Sequence, residues 1–154
     1  MTIQQICTFF LDSTRFGIEV EDVQEIIRQQ PLTPVPLAAL DICGLMNLRG
    51  QVIPVVDLSY RLGLRSVACA IGEANTEEYT VYNVIVNTAD DVVSFVVDDI
   101  GDVLECALET LEPPPATLAP SMRSVLKGAY KLEQDFLLVL NTEKILDSPF
   151  PQRR

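Results

Sequence analysis

Three pairs of adjacent acids, Glu77-Glu78, Asp90-Asp91 and Asp98-Asp99, come closest to catalytic equipment in this chain. Acid–base chemistry by a carboxylate pair needs both groups to converge on one bond. Neighbours on an extended backbone point to opposite faces, so these pairs read as solvated turns and strand ends. The four cysteines, Cys7, Cys43, Cys69 and Cys106, lack an activating base, because the chain contains no histidine. Their apolar neighbours (Ile6, Ile42, and Ala68 with Ala70) suit small core hydrophobes. No cysteine pair has a metal-type spacing, no EF-hand spacing is present, and no glycine-rich phosphate loop surrounds Gly101 or Lys127-Gly128. The expectation is no catalytic residue, no metal site and no cofactor. Two charged residues bear on binding instead. Arg49 interrupts the apolar run GLMNLRGQVIPVVDL (44–58), and Glu25 lies within VEDVQEII (20–27). From residue type alone, each also reads as an ordinary solvated position.

The elements that must position these two residues are mostly strands. Residues 45–48 and 51–56 read as a hairpin about Arg49-Gly50, where Gly50 takes a positive φ without steric cost. Pro54 predicts a bulge or an edge, and Asp57 predicts the N-cap of a short helical turn through Leu62. Upstream, residues 3–11 and 15–20 read as strands joined at Asp12-Ser13-Thr14. Val23, Ile26 and Ile27 have helical spacing, and PLTPVP (31–36) forces an extended connection. Residues 65–78 read as a polar loop. Two more strands follow at 80–87 and 92–98, then an irregular PPPATLAP (113–120). A hairpin of 126–132 with 136–140 and a helical turn at 142–146 close the chain.

Two segments recur. VEDVQEII matches VDDIGDVL (97–104) in residue type at all positions but one, Gln24 against Gly101, at an offset of 77 (97 − 20). GLMNLRGQVIPVVDLSYRL (44–62) matches GAYKLEQDFLLVLNTEKIL (128–146) in apolar rhythm, at an offset of 84 (128 − 44). Two matches in the same order indicate a duplicated β unit. A unit that small, with short strands and no long helix, is most simply a barrel, because closure removes exposed edges. The fold class is therefore mainly β: two small barrels with short helices. The subdomains are placed at about 14–66 and 79–147, with exchange of segments between them left open. Packed side by side, two barrels would leave an apolar groove suited to a partner.

Composition narrows the partners. The chain has 154 residues, 48% hydrophobic and 21% charged, which fits one globular domain rather than a disordered one. A net charge of −11 disfavours nucleic acid and anionic lipid surfaces. No apolar run reaches the ~20 residues that span a bilayer, so no membrane insertion is expected. MTIQQICTFF carries no basic residue before Arg15, unlike a secretory signal, so a cytoplasmic location is expected.

The ordered set FGIEVEDVQEI (16–26), GLMNLRGQVIPVVDL, SFVVDDIGDVL (94–104) and GAYKLEQDFLLVLNTEKIL resembles the CheW family of bacterial chemotaxis coupling proteins, from about residue 3 to residue 147. N-L-R-G-x-V-I-P-V-V-D-L (47–58) is the most specific part. Ser94 departs from a common glycine, and 65–78 and 113–120 are idiosyncratic. The resemblance implies two SH3-like barrels and a non-catalytic adaptor in two-component signalling. It implies two partners: the cytoplasmic helical tip of a methyl-accepting chemoreceptor, and the CheW-like regulatory domain of a histidine autokinase. The adaptor would be cytoplasmic and recruited to membrane receptor arrays. Family positions in the receptor groove fall here on Val23, Glu25, Gly44, Asn47, Arg49 and Val81. Val23 and Val81 would supply apolar area, Arg49 a planar fork, Glu25 an acceptor, and Gly44 room for a close approach. The alternatives are a CheW-like scaffold in another receptor–kinase pathway, such as motility or biofilm signalling, and a small-ligand-binding β-barrel using the acidic clusters.

Overall fold

Ten strands form among the described residues, several of them near-continuous apolar runs buried on both faces: β1 (Ile3–Leu11), β2 (Thr14–Glu19), β3 (Val23–Arg28), β4 (Ile42–Leu48), β5 (Gln51–Asp57), β6 (Tyr82–Asn87), β7 (Val92–Val97), β8 (Asp99–Ala107), β9 (Leu126–Lys131) and β10 (Phe136–Leu140). Three short helices accompany them: α1 (Leu58–Arg61), α2 (Pro120–Arg123) and α3 (Thr142–Asp147). The structure, a computed structural model, describes residues 1–37, 39, 41–64, 81–89 and 91–147. The loop expected at 65–78, with Cys69 and Glu77-Glu78, lies outside the described residues, as does Asp90.

The strands form two five-stranded sheets, ordered β8-β1-β2-β10-β9 and β3-β6-β7-β5-β4. One short bridge draws each sheet into a barrel. Thr33, beyond β3, exchanges backbone hydrogen bonds of 2.9 and 2.8 Å with Leu45 on β4. Glu112, beyond β8, does the same with Ala129 on β9 at 2.9 and 2.8 Å. Each bridge covers a strand edge that would otherwise stay open. The fold is mainly β, with two SH3-like barrels.

The duplication shows in the register. Phe9 faces Phe16 across β1–β2, and Val86 faces Val93 across β6–β7, 77 residues on. Parallel pairing aligns Gly17 with Val139 and, in the other barrel, Ser94 with Val55. Each barrel thus combines the opening hairpin of one repeat with the last three strands of the other. Contiguous halves at 14–66 and 79–147 do not coincide with the sheets, because β2 pairs with β10 and β7 with β5. Parallel neighbours cannot be joined by a tight turn, so they come from distant segments.

Two local expectations change. Residues 23–27 form strand β3, not a helix, after a 3-10 turn at Val20–Asp22. A register shift between Val23 and Glu25 interrupts the two-residue alternation, and the result imitates helical spacing in the sequence. Pro54 sits in an interior strand. It is tolerated because Leu45 opposite turns its N–H and C=O toward Thr33, and pairing with β7 begins only at Val55.

The core has three parts. Met46, Ile53, Val55, Val81, Ile85 and Val96 fill one barrel, and Ile6, Cys106, Tyr130, Leu137 and Val139 fill the other. A third cluster joins the barrels, with Phe9, Phe16, Val56, Leu58, Phe95, Leu140 and Ile145 among its buried members. The rings of Phe9 and Phe16 stack there, 6.4 Å apart. The centre of the seam is therefore packed core, not the open apolar groove expected from the sequence. Burying one such side chain contributes about 1.5–3 kcal/mol, which an open cleft would forgo in the free protein. Among the described residues, an open depression between the barrels, about 380 Å³, is polar and lined by Glu19, Glu21, Asp22, Lys127, Asn141 and Glu143 among others.

Candidate partner-binding site

The β4–β5 turn is built for one conformation. Arg49 has φ +52° and Gly50 φ +87°, the paired positive values that match the twist of a two-residue hairpin. Asn47 braces it, its Oδ1 accepting from the Gly50 N–H at 3.0 Å. From this tip the Arg49 guanidinium reaches back to β3. Nη1 donates to Glu25 Oε1 at 3.4 Å, and Nη2 donates to Glu25 Oε2. The Arg49 side chain remains 67% exposed and that of Glu25 27%. Glu25's hydrogen bond, then its charge, push the guanidinium's pKa further up. Strands β3 and β4 end the sheet order on either side, so the pair straps the closing side of its barrel.

The six expected groove residues divide. Glu25, Asn47 and Arg49 come together on the surface, and Val23 lies beside them on β3, half-buried against the seam core. Gly44 does not face outward. A Cβ there would stand 2.7 Å from the Thr33 carbonyl oxygen, so the close approach it permits is that of its own chain. Gly128 plays the same part against Glu112 in the other barrel, with 2.5 Å to the carbonyl oxygen. Val81 is buried in the core of its barrel, 7% exposed. Its place next to β6, in line with that strand's inward face, decides this.

The sequence reading passed over other apolar residues near this turn. Ile26 and Ile27 are half-buried on opposite faces of β3, Ile26 against the seam core and Ile27 against the core of its own barrel, and Val52, 61% exposed, faces Asn47 across the hairpin. Once the turn is placed at Arg49-Gly50, the 47–52 pairing follows, so Val52 was within reach of sequence reasoning. The Ser94 departure also has a structural partner. Its hydroxyl donates to Asn83 Oδ1 at 2.9 Å, and Asn83 Nδ2 donates to Gln29 Oε1 at 3.1 Å.

The residues first weighed for chemistry are occupied otherwise. Asp98 Oδ2 accepts from the Asp12 N–H at 2.7 Å and Asp99 Oδ1 from the Ile100 N–H at 2.8 Å, both shaping turns. Cys7 and Cys106 are buried, and burial pushes both thiols up, away from the reactive thiolate. Among the described residues no group of three acids or cysteines is placed to hold a metal ion.

Residues 5–150 match the family model described as CheW-like domain. The chain belongs to the CheW-like family. It is 29% identical over 144 residues to chemotaxis protein CheW of Treponema pallidum (strain Nichols), covering 94% of this chain and 82% of that protein. It is 30% identical over 150 residues to chemotaxis protein CheW of Rhizobium meliloti (strain 1021), covering 96% and 88%. Among solved structures, scaffolding protein TtCheW from Thermoanaerobacter tengcongensis is similar with a TM-score of 0.74 at 25% identity, over 91% of this chain and 85% of that one. In this CheW-like chain the N-L-R-G motif is thus a braced hairpin tip whose arginine is aimed by a neighbouring strand.

Proposed function

We propose that this CheW-like chemotaxis adaptor joins the cytoplasmic helical tip of a chemoreceptor to the CheW-like regulatory domain of a histidine autokinase, without catalysis of its own. It would work in the cytoplasm, beside membrane receptor arrays. The observation that carries the receptor half is the exposed Arg49 fork, held in place by Glu25 and by a turn that Asn47 fixes. A side chain ordered before binding loses less entropy when a partner arrives. Val23, Ile26 and Val52 supply apolar area around it, so an amphipathic helix could lie along β3 with a carboxylate or carbonyl at Arg49. The packed seam makes this a ridge contact rather than insertion into a cleft. Modest affinity suffices where arrays hold many adaptors at high local concentration. Among the described residues no helix is long and apolar enough to cross a membrane.

Capture of a purified chemoreceptor cytoplasmic fragment tests the site. Arg49→Glu should weaken capture by about tenfold or more, as loss of a central arginine contact does, with the unfolding midpoint unchanged. The charge-swapped Glu25→Arg/Arg49→Glu protein can rebuild the internal pair in reverse. If the receptor reads Arg49, the swap stays defective. Full recovery by the swap assigns the pair to structure alone, and unchanged capture by Arg49→Glu removes the site. Control of kinase autophosphorylation, with and without this protein, tests the coupling itself.

A further inference from the structure

One buried charge pair near the seam has no equivalent in the second repeat. Asp41 immediately precedes β4 and Arg61 closes α1, with side chains 1% and 2% exposed. Arg61 Nη1 donates to Asp41 Oδ2 at 3.2 Å. Its Nε and Nη2 donate to the Ile145 carbonyl at 3.0 and 2.8 Å, and Nη2 also to the Leu146 carbonyl at 3.2 Å. Both carbonyls belong to α3, in the other repeat, which follows a strand of the other barrel.

The 84-residue offset places Val125 opposite Asp41, and Ile145, whose carbonyl Arg61 grips, opposite Arg61 itself. Two of the surrounding hydrogen bonds recur in the second repeat. Asp57 N–H donates to the Asp41 carbonyl at 2.7 Å, and Asn141 N–H to the Val125 carbonyl at 2.8 Å. Asp57 Oδ1 accepts from Tyr60 N–H at 3.3 Å, and Asn141 Oδ1 from Lys144 N–H at 3.2 Å. The molecule therefore builds the same corner twice, once around Asp and Arg and once around Val and Ile. The corner does not require the charges. Nor is the pair optimised for stability, since Asp41 Oδ1 is buried without a hydrogen-bond partner. What the guanidinium adds is direction. Apolar contacts across the seam are non-directional, whereas a planar fork spanning two backbone carbonyls and a carboxylate resists rotation.

We propose that Arg61 is a positioning residue that fixes the angle between the two barrels, by tying the start of β4 in one to the end of α3 behind the other. The functional half of this proposal, that the fixed angle transmits receptor state to the kinase, rests on the adaptor reading; the geometric half does not.

The test moves the second repeat's residues into the first, as Asp41→Val/Arg61→Ile. Replacing a buried ion pair by apolar side chains is often neutral or stabilising, so this protein should fold with an unfolding midpoint at or above the parent's. Spin labels on unnatural amino acids at the exposed positions Gln51 and Gln134, one per barrel, report the inter-barrel distance. The distribution should be roughly twice as wide in the double variant as in the parent, a change that apolar repacking alone does not predict. Arg61→Lys keeps the charge without the fork. It should fall between the two, and it serves if the double variant does not fold. Equal widths in parent and variants would overturn the proposal. A broadened distribution with undiminished receptor control of kinase autophosphorylation would overturn its functional half. If the parent itself does not couple, the adaptor reading fails, and the distance measurement still decides the geometric half.

Discussion

The two repeats agree in what makes a barrel and differ where charge is placed. Both have a bulge at the same point of the third strand, at Gln24 and near Gly101, and another in the fourth, at Cys43 and Lys127. Both set a glycine against the carbonyl of the bridge that closes the barrel. Only the first repeat carries Glu25 with Arg49 on the surface and Asp41 with Arg61 inside. The offsets place Asp102 and Glu133, two acids that cannot pair, and Val125 and Ile145 at the matching positions. The shared features are thus sufficient for the fold, and the unshared charges are free for another task. An internal duplicate supplies the control that a single barrel would lack.

The largest way to break this comparison is to remove one buried charge and leave the other. Arg61→Ile alone strands the Asp41 carboxylate inside the protein and should lower unfolding free energy by about 3–5 kcal/mol in urea titrations. The loss should depend on pH. Burial pushes the Asp41 carboxyl above its ordinary 3.8, the Arg61 charge and hydrogen bond pull it back, and the Asp57 charge adds a little to the push. A raised carboxyl keeps its proton in the folded state after the unfolded chain has released it. Its contribution to stability therefore falls as pH rises from 3.8 through the folded value, and is level above that. Without Arg61 that window extends upward. The deficit of Arg61→Ile should be smallest near pH 4 and grow as pH rises through the folded-state titration of Asp41. A deficit constant with pH would show that Asp41 is not the group left unpaired.

The closing glycines provide a smaller effect that should be shared. A methyl group at Gly44 or Gly128 meets a backbone carbonyl at 2.7 or 2.5 Å, and neither carbonyl can move without opening its bridge. Gly44→Ala and Gly128→Ala should each cost about 1–3 kcal/mol. Gly44→Ala should cost the more, since its φ of +153° is one that residues with a Cβ rarely adopt. If Gly44→Ala melts like the parent and yet loses receptor capture, Gly44 belongs to the partner contact and the closure argument fails.

What was legible in the sequence was local. The Arg49-Gly50 turn, the Asp57 cap and the closing hairpin each depend on residues a few positions apart, and each is where its chemistry put it. β3 misled because its bulge breaks a period that can be read only along a continuous strand. The exchange of hairpins between barrels is decided by pairing between distant segments, on which turn chemistry is silent. The burial of Gly44 and Val81 was hidden for a related reason: a motif gives a residue's neighbours in sequence, not the face it occupies. The Asp41–Arg61 pair left one usable trace. Extending the repeat three residues upstream of Gly44 sets Asp41 against Val125, and the same alignment already set Arg61 against Ile145.

The smallest effect would sharpen the comparison at the surface. Glu133→Arg gives the second barrel an acid and an arginine at the positions that Glu25 and Arg49 hold in the first. Exposed ion pairs contribute little to stability, so the unfolding midpoint should not move. Receptor capture should not gain a second site either. Arg49 is one of three non-glycine residues with positive φ among those described, and residue 133 does not share that backbone geometry, so a grafted side chain would leave the tip at another angle. Lys131 also stands where Asn47 braces the first turn, and it cannot accept a hydrogen bond from the backbone. Stoichiometry of receptor fragment bound per adaptor measures this directly. One fragment before and after the substitution makes the braced turn part of the site; two fragments after it would make the charge pair sufficient, and the asymmetry between the barrels a matter of two residues.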